Sequence, residues 1–347
     1  MKTKIPPLAQ RKHVVTLKAV ADYVGLTAGT VSVVLNNSKS ANSIPEHTRS
    51  RILEAARKLN YRPNFVARSL RVKRTFTIGV ITAEFGDAYG GEVLGGIEIY
   101  LRANNYFLLA VAHRHDIRLQ HDYADLLTSR GVEGLITIDT SVDVPPVVPT
   151  VAVAGHQRVE NVTNIVLDHR VAAKLALKHL KELGHKRIAF LRGQQQSSDS
   201  ESRWESLKEA ACELGVEIDP KLVIQIEGTD STPDLGYPYG KELLKRNVPF
   251  TALVAYNDIS AIGAMKAFGE ADWKIPQDVS IVGFDDISIA SFSIPPLTTI
   301  RQPLEEMGRI AAKMVLGLIE GKEEYVQEVA VQPRLIARGS TGAPKKI

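Results

Sequence analysis

The sequence predicts a small all-α headpiece at the N-terminus, followed by an α/β core of two doubly wound parallel-sheet lobes. Near the N-terminus, apolar residues repeat at helical spacing on both sides of a glycine. From residue 76 onward, short apolar strands alternate with amphipathic helices, a pattern typical of parallel sheets covered on both faces. The length of 347 residues and the 44% hydrophobic composition favour two or three domains with substantial cores.

The headpiece begins with a pair of short helices. The buried face of the first helix has positions i, i+3, i+4 and i+7, occupied by Leu17, Val20, Ala21 and Val24. Gly25 can take the left-handed conformation that ends this helix, and Thr27 can cap the next one. The second helix buries Val31, Val34 and Leu35. Its outward face, where a helix-turn-helix reads DNA bases, consists of Ala28, Gly29, Thr30, Ser32 and Val33.

A third helix completes the headpiece. Ser43 and Glu46 have the spacing of a capping box that opens this helix, and Pro63 follows its end. The apolar face of the helix is formed by Ile52, Ala55, Ala56 and Leu59. Two short helices joined at a glycine also occur in small helical subdomains that do not bind DNA. The motif alone therefore does not decide the function.

The charge distribution separates the headpiece from the core. Residues 1–75 contain 15 Lys plus Arg and 3 Asp plus Glu, a net charge of +12, whereas the remainder has 28 basic and 36 acidic residues, a net charge of −8. The overall charge of +4 hides this division. A basic face on so small a unit is suited to neutralising phosphates, and the acidic remainder would repel nucleic acid.

The core pattern predicts about eight strands with helices between many of them. The predicted strands are residues 76–81, 107–111, 134–138, 147–153, 187–191, 222–226, 251–255 and 280–284, and the predicted helices are residues 92–104, 170–183, 202–214 and 258–268. This number of strands over about 270 residues fits two lobes better than one. A ligand of such lobes would bind at the carboxyl ends of the strands.

The composition excludes several classes of protein. The single cysteine, Cys212, rules out an internal disulfide framework, and its helical context predicts a buried apolar residue. Residues 1–12 lack the apolar stretch of a signal peptide, and no apolar run reaches membrane-spanning length. We therefore expect a cytoplasmic protein without a membrane partner.

Common enzyme motifs are also missing. The chain has no nucleotide-binding G-x-G-x-x-G or P-loop sequence, no zinc-protease H-E-x-x-H and no nucleophile elbow G-x-S-x-G. His113, His115 and Asp116 could share a metal, but no further spaced ligand supports such a site, and His185 at a helix-to-strand junction indicates a turn or packing role. We expect no catalytic residue, no metal and no cofactor.

Polar residues at the predicted strand ends indicate a binding site. Asn257 and Asp258 follow one strand, Asp285 and Asp286 follow another, and Arg203 opens the helix after a polar loop. Carboxylate and amide groups are suited to sugar hydroxyls, and the guanidinium can pair with hydroxyl, carboxylate or phosphate oxygens. Alternative roles are a helix cap for Asp258 and a solvated surface position for Asp286.

Several ordered segments together carry a family resemblance. They are VTLKAVADYVGLTAGTVSVVLN, TRSRILEAARKLNYRPNFVARSLR, TIGVI, KHLKELGHKRIAFLRG, AYNDISAIGAMKAF, DVSIVGFDDISIASFSIPPLTTIRQP and ARGST. In this order they are similar to bacterial transcriptional regulators of the lactose-repressor/galactose-repressor family, from Val15 to nearly the end of the chain. The resemblance implies a homodimer, in some members a tetramer, whose core is periplasmic-binding-protein-like and whose ligand alters operator affinity.

The resemblance also implies a division of the chain. Residues 1–62 would form the headpiece, 63–74 a hinge helix and linker, and 75–347 the effector-binding and dimerisation core. Within the core, the N-lobe would comprise about 75–166 and 301–326, and the C-lobe about 167–300 and 327–347. A hinge this short would be helical only when paired with a second copy on DNA, with Leu70 inserted into the minor groove.

Site residues follow from the same resemblance. The implied DNA contacts are Thr16, Leu17, Thr27, Ala28, Gly29, Thr30, Ser32, Val33, Asn36, Asn64, Ala67, Leu70 and Arg71. The implied effector contacts are Asp87, Tyr89, Arg203, Asn257, Asp285 and, as a weaker candidate, Gln302. A cleft position that is often acidic in sugar-responsive members corresponds to Ala154, so the identity of the ligand does not carry over.

The recognition helix departs from the family. Many members have a polar residue early in this helix and an arginine after Thr-Val-Ser, whereas this chain has Ala28, Gly29 and Val33. Base readout would then depend on Thr30, Ser32, thymine methyl contacts and DNA shape, or on Asn36, Asn37 or Lys39 just beyond the helix.

These observations lead to one expected function and two rivals. We expect a transcriptional regulator, more often a repressor in this family, that binds double-stranded operator DNA. Its second partner would be a small-molecule effector, a sugar or related metabolite. When bound to its operator, the protein would be associated with the nucleoid. A solute-binding protein would not need a basic headpiece. A Rossmann-type enzyme would show cofactor absorbance or turnover.

Overall fold

A computed structural model describes residues 15–36, 38–62, 69, 72–142, 145–155, 158–195, 197–228 and 232–345, without the side chains of Lys39 and Ser198. The chain divides into two compact units at the bond between Arg74 and Thr75. The hinge residues singled out from the sequence lie outside the described residues; they are Asn64, Ala67, Leu70 and Arg71.

Between residues 15 and 62, where all residues but 37 are described, the first unit has the helices α1 (Leu17–Val24), α2 (Ala28–Leu35) and α3 (Glu46–Lys58) and a 3₁₀ turn, Lys39–Ser43. Thr16 caps α1 by accepting a hydrogen bond from the Ala19 N–H at 3.2 Å. Gly25 ends α1 in the left-handed conformation, with φ at 67°. The predicted cap of α2 is confirmed, since Thr27 Oγ1 accepts from the Thr30 N–H at 3.2 Å.

The third helix begins differently from the prediction. Pro45 is its N-cap residue, and no side chain caps the helix. The predicted capping box is wrong because Ser43 belongs to the preceding 3₁₀ turn, where its hydroxyl donates to the Ser40 carbonyl at 2.7 Å. Glu46 instead forms an ion pair with Arg49 one turn along the helix.

The second unit contains two six-stranded sheets. In sheet 1 the strands are β1 (Thr77–Thr82), β2 (Phe107–Ala112), β3 (Gly134–Ile138), β4 (Thr150–Val153), β5 (Val162–Leu167) and β11 (Glu328–Val331), in the order β11-β5-β4-β3-β1-β2. In sheet 2 they are β6 (Ile188–Arg192), β7 (Val223–Gln225), β8 (Ala252–Val254), β9 (Ser280–Asp285), β10 (Thr298–Arg301) and β12 (Arg334–Ile336), in the order β12-β10-β9-β8-β6-β7. All pairings are parallel except that of β10 with β12.

The described residues of this unit include seven helices. They are α4 (Ala88–Ala103), α5 (Ile117–Ser129), α6 (His169–Leu183), α7 (Ser198–Leu214), α8 (Tyr237–Lys245), α9 (Asp258–Glu270) and α10 (Leu304–Ile319), with 3₁₀ turns at Pro220–Leu222, Pro233–Leu235 and Ser288–Ser291. Among the described residues no single helix could span a membrane by length and composition, although the bent pair α1 and α2 passes that test when combined.

The chain passes three times between the two sheets, after β5, after β10 and after β11. The third passage corrects the predicted lobe boundary. The sequence assigned residues 327–347 to the C-lobe, but β11 pairs with β5 in sheet 1, with Val331 beside Leu167. The C-lobe resumes only at β12, because β11 completes the edge of the first sheet before the chain returns.

Other differences concern short or mixed segments. Strands β5, β10, β11 and β12 and helices α5, α8 and α10 were not predicted, and α7 begins at Ser198 rather than 202. Strand β5 contains a buried polar residue, Asn164, which interrupts the apolar pattern. Cys212 is exposed, contrary to the prediction, because α7 turns Ala210 and Ala211 inward and leaves Cys212 on its outer side.

Helices α4 and α10 pack closely through glycines. A Cβ at Gly96 would overlap the backbone carbonyl of Glu305, and a Cβ at Gly308 would overlap that of Val93. Each helix therefore places a glycine against the backbone of the other. The contact joins α4, which follows β1 of sheet 1, to α10, which follows β10 of sheet 2.

Substitution of Gly96 by alanine should destabilise the core, because the backbone of Glu305 cannot move away without displacing α10. We expect a loss of about 1–3 kcal/mol in the free energy of unfolding. Gly95→Ala is the matched control, since nothing lies within 4 Å of the added Cβ and alanine favours the helix. Urea unfolding of both variants measures this loss of stability. Equal free energies of unfolding for Gly96→Ala and Gly95→Ala would contradict the close packing of α4 against α10.

Candidate functional site

A cavity opens at the carboxyl ends of strands from both sheets. Residues after β1, β2 and β3 line it from sheet 1, and residues after β6, β8 and β9 line it from sheet 2. This is where doubly wound sheets bind ligands, since side chains beyond the strand ends converge there. Five of the six predicted effector contacts line the cavity, namely Asp87, Tyr89, Arg203, Asn257 and Asp285.

Arg203, on α7, is the central cation of the cavity. Its side chain is only 5% exposed. One Nη donates to the Tyr256 carbonyl at 2.6 Å, and the other donates to Asp199 Oδ2 at 2.9 Å. The guanidinium carbon lies 3.7 Å from the ring centroid of Phe284 and 4.6 Å from that of Tyr256. The guanidinium thus lies against two rings and is paired through both Nη atoms, whereas its Nε has no hydrogen-bond partner among the described residues.

Asp285 ends β9 beside this guanidinium. Its Oδ1 lies 3.9 Å from Arg203 Nη2 and accepts a hydrogen bond from Gln302 Nε2 at 2.6 Å. Burial raises the pKa of Asp285 well above its usual value, and Arg203 opposes this effect. Gln302 does not line the cavity; it is 3% exposed and reaches the site through Asp285. Its backbone N–H also donates to the Asp285 carbonyl, at 3.2 Å.

Asp199 links the cavity to the first passage between the sheets. It lies one helical turn before Arg203 on α7, and its Oδ1 is 3.4 Å from Nε2 of His169, the first residue of α6. Both side chains are buried. The carboxylate therefore pairs with a guanidinium on one side and with an imidazole on the other.

On the sheet 1 side, Asp87 and Tyr89 lie at the start of α4. Asp87 caps this helix by accepting from the N–H groups of Tyr89 and Gly90, at 3.3 and 2.9 Å. Burial raises the pKa of Asp87, and the two backbone hydrogen bonds oppose this. The Tyr89 hydroxyl is buried and has no hydrogen-bond partner among the described residues. A bound molecule with a polar group would satisfy it.

The helix cap considered for Asp258 belongs to its neighbour Asn257. Asn257, not Asp258, is the N-cap of α9, and its Oδ1 accepts from the Ser260 N–H at 2.9 Å. Asp258 is fully buried and accepts from Thr299 Oγ1 at 2.6 Å and from the Ile287 N–H at 2.9 Å. Burial raises the pKa of Asp258 to about 7.

Asp286 is not the solvated residue considered from the sequence. Its side chain is 3% exposed, and its carboxylate pairs with Arg301 at 2.5 Å and with Arg338 at 2.6 Å. Arg301 ends β10, where the second passage begins, and Arg338 follows β12. Both cations reach this carboxylate because β10, which Arg301 ends, is paired with β12, which Arg338 follows.

The histidines considered from the sequence have structural partners. His185 hydrogen-bonds Thr251 Oγ1 and the Gly342 carbonyl, each at 2.9 Å, which confirms the packing role. His113 Nε2 is 3.0 Å from Thr140 Oγ1, and Asp116 caps α5. In the described part of the chain no cluster of three or more His, Cys, Asp or Glu side chains could hold a metal ion.

Several lining residues were not predicted. The polar ones are Glu84, His115, Asp139, Gln194, Ser197, Asp199 and Tyr256. Asp139 directly follows β3, so the rule that ligand groups follow strand ends could have found it. The i, i+4 spacing of Asp199 and Arg203 was a second signal. Ala154 does not line the cavity.

The headpiece has its own candidate surface. Ala28 and Gly29 are exposed, and Thr30 and Val33 are partly exposed. Ser32 is only 7% exposed, which corrects its predicted outward position, because it lies on the side of α2 that bears Val31. Asn36 folds back, its Nδ2 donating to the Ser32 carbonyl at 2.7 Å and contacting Ser32 Oγ at 3.1 Å.

Comparisons with known proteins agree with both units. Residues 16–64 match the family described as bacterial regulatory proteins, lacI family, and residues 177–341 match a periplasmic binding protein-like domain. The HTH-type transcriptional repressor PurR of Haemophilus influenzae is 33% identical over 335 residues, covering 94% of this chain and 98% of that protein. PurR of Pectobacterium carotovorum is 30% identical, with 94% and 96% covered.

Solved structures show the same architecture. The lac repressor dimer bound to operator and the anti-inducer ONPF has a TM-score of 0.84 and 27% identity, with 95% of this chain and 99% of that chain covered. The transcriptional regulator CelR in complex with cellobiose has a TM-score of 0.69 and 26% identity, with 94% and 99% covered.

A helix-turn-helix headpiece and a two-lobed, periplasmic-binding-protein-like core in one chain define a DNA-binding transcriptional regulator that responds to a ligand. The chain belongs to the lacI family of bacterial regulatory proteins.

The raised pKa of Asp258 predicts that stability falls as the pH rises. Because its folded pKa of about 7 exceeds its unfolded value of 3.8, folding favours the protonated carboxyl. This contribution is complete below about pH 4 and is lost as the pH rises through about 7. We expect Asp258→Asn to flatten the decline of the melting temperature over that range, even if the variant is less stable throughout.

The control for this measurement is Asp122→Asn, which changes an exposed carboxylate on α5. Its pH profile should follow that of the natural sequence. Parallel profiles for Asp258→Asn and the natural sequence would show that Asp258 does not titrate in this range.

Proposed function

We propose that this chain binds a pseudo-palindromic operator as a homodimer and that a small polar molecule in the core cavity changes its affinity for that DNA. The observation that carries the proposal is the combination, in one chain, of a basic helix-turn-helix headpiece with a core whose cavity is lined by buried polar groups. Paired headpieces would enter successive major grooves, which explains the expected symmetry of the site.

The recognition surface would read bases with few hydrogen bonds. Ala28, Gly29 and Val33 offer no side-chain donor, and Asn36 is hydrogen-bonded to Ser32. Thr30 Oγ1 lies 2.9 Å from Thr27 Oγ1, and either of these hydroxyl groups can donate to the other. Thymine methyl contacts by Ala28 or Val33, together with DNA shape, would supply much of the specificity.

Other proposed DNA contacts lie around this surface. Thr16 and Thr27 are positioned at helix N-termini, where phosphates are favoured, and Leu17 is partly buried against the headpiece core. For Asn64, Ala67, Leu70 and Arg71 the proposal rests on the family resemblance alone. Leu70 from each subunit would insert into the minor groove at the centre of the operator and bend it.

The effector would lie among Asp87, Tyr89, Arg203, Asn257 and Asp285, which all line the cavity. Gln302 would act through Asp285 rather than by contact. This arrangement offers a route for the response, since Gln302 belongs to the second passage between the sheets. A ligand that moves Asp285 would shift the passage and thereby the relative position of the lobes.

The two rival functions lack support. A solute-binding protein would leave the basic headpiece without a role, and the relatives are transcriptional repressors rather than enzymes. We infer that the protein is a binding protein that acts in the cytoplasm, associated with the nucleoid when bound to its operator.

Selection of binding sites from a random DNA pool tests the proposal. The full chain should select an inverted repeat in which at least one half-site position has weak base preference, because Val33 cannot make a bidentate contact to guanine. Its affinity should fall steeply with salt as Lys and Arg release counterions. A chain starting at Thr75 should bind no operator. Equal operator affinity in this shortened chain would contradict the assignment of the headpiece.

A further inference from the structure

The connection between β3 and β4 contains no helix in its described part. These strands are parallel neighbours in sheet 1, and residues 139–149 join them. Residues 139–142 and 145–149 of this connection have irregular backbone with bends. Parallel neighbours are usually joined by a helix, which covers one face of the sheet beside them. The described residues of the connection do not provide such a cover next to β3 and β4.

A helix in this connection would lie beside α5. The chain crosses sheet 1 in the same direction from β2 to β3 and from β3 to β4, because the strand order is β11-β5-β4-β3-β1-β2. Connections between parallel strands are right-handed, so two connections that run in the same direction lie on the same face of the sheet. The face that carries α5 is therefore the one that the connection from β3 to β4 leaves open.

A second cavity lies at this position. Ile81 and Leu135 are strand residues of its lining. Ala124 lines it from α5, and Val142 and Pro146 line it from the connection. Its volume is about 310 Å³, which is within the range of small-molecule sites. No described residue lines both this cavity and the cavity at the carboxyl ends of the strands.

Hydrogen bonds fix the start of the connection. Gln120 Nε2, on α5, donates to the Ser141 carbonyl of the connection at 2.7 Å. Thr140 Oγ1 donates to the Ile138 carbonyl at 2.8 Å and lies 3.0 Å from His113 Nε2. These contacts hold the start of the connection against α5 and against the residue that follows β2.

The buried part of this lining carries no ionised group among the described residues. Ile81, Leu135 and Thr137 are 2%, 4% and 3% exposed. The ionisable side chains of the described lining are those of His121 and Asp125, which are exposed residues of α5. A phosphate, carboxylate or ammonium group at the buried end would therefore lose its hydration without gaining a counter-ion. The lining favours an uncharged molecule.

One hydroxyl group of the lining has no partner. Thr137 lies two residues after Leu135 on the same face of β3, and its buried Oγ1 has no hydrogen-bond partner among the described residues. The other threonines of the lining, Thr128, Thr140 and Thr150, each donate to a backbone carbonyl at 2.8 or 2.9 Å. A hydroxyl or carbonyl group of a bound molecule would satisfy Thr137.

We propose that the second cavity binds a small uncharged molecule with an apolar ring or short chain and one hydroxyl or carbonyl group. The apolar part would pack against Ile81, Leu135 and Ala124. The polar group would hydrogen-bond to Thr137 Oγ1, which can donate or accept. This site is additional to the proposed effector cavity and does not depend on it, because different residues line the two cavities.

Neutral and charged probes of similar size test the class of ligand. Methyl NMR spectra of the full-length chain are recorded during titration with benzyl alcohol, acetophenone, benzoate and benzylamine. We expect at least one neutral probe to give saturable shifts of the methyl groups of Ile81, Leu135 and Val142, with an affinity about tenfold or more above that of either charged probe. No saturable shift at these methyl groups with either neutral probe, or equal binding by a charged probe, would overturn the proposal.

Substitution of Thr137 tests the hydrogen bond. Thr137→Val replaces a hydroxyl group without a partner by a methyl group and suits a strand, so the chain should remain as stable as the natural sequence. We expect the affinity for the bound neutral probe, relative to its hydrocarbon counterpart toluene or ethylbenzene, to fall by about fivefold or more. An unchanged ratio of affinities would contradict the contact with Thr137.

Thr163→Val is the matched control. Thr163 lies on β5 of the same sheet, is fully buried and has a hydroxyl group without a partner among the described residues, but it does not line the second cavity. The ratio of affinities in this variant should equal that of the natural sequence. A similar fall in Thr163→Val would show that the loss does not come from contact with the hydroxyl group of Thr137, and it would overturn the assignment of the site.

Discussion

The architecture of the core depends on one buried cation. Arg203 lies between two aromatic rings and holds Asp199 and Asp285 near it, so α7 and the end of β9 are fixed relative to each other. A guanidinium in this position must be paired, since an isolated buried charge would be very costly. The same guanidinium lines the cavity, where its Nε has no hydrogen-bond partner among the described residues. One side chain thus belongs both to the packing of the core and to the candidate binding site.

This cluster is connected to the passages between the sheets. Asp285 is hydrogen-bonded to Gln302 after β10. Its neighbour Asp286 pairs with Arg301, where the second passage begins, and with Arg338, which lies after the third passage and β12. Asp199 contacts His169 just after β5. A change at the cavity therefore has short routes to all three connections, which is the property that a ligand-controlled pair of lobes requires.

Much of this could be predicted from residue patterns, and the errors have physical causes. The alternation of strands and helices indicated two parallel-sheet lobes, and polar groups at strand ends identified Arg203 and Asp285. Strand β11 was assigned to the wrong lobe because sheet membership at an edge depends on pairing with a distant strand, which no local pattern encodes. Ser32 was assigned to the outward face because polar residues of a surface helix usually face solvent, but the structure buries it. Asp139 and Asp199 were missed because isolated acids usually lie on the surface, although the position of Asp139 after β3 and the spacing of Asp199 from Arg203 were available signals.

A double-mutant cycle between Arg203 and Asp199 tests most directly whether the buried guanidinium is stabilised by pairing with the carboxylates beside it. Arg203→Met alone should lower the free energy of unfolding by about 3–5 kcal/mol, because it leaves Asp199 and Asp285 buried without their cation. In the Asp199→Asn background the same substitution should cost at least about 1 kcal/mol less, since one of those carboxylates is gone. Urea unfolding of the four proteins gives the coupling. Additive losses, within about 0.5 kcal/mol, would contradict the pairing on which this account of the cavity depends.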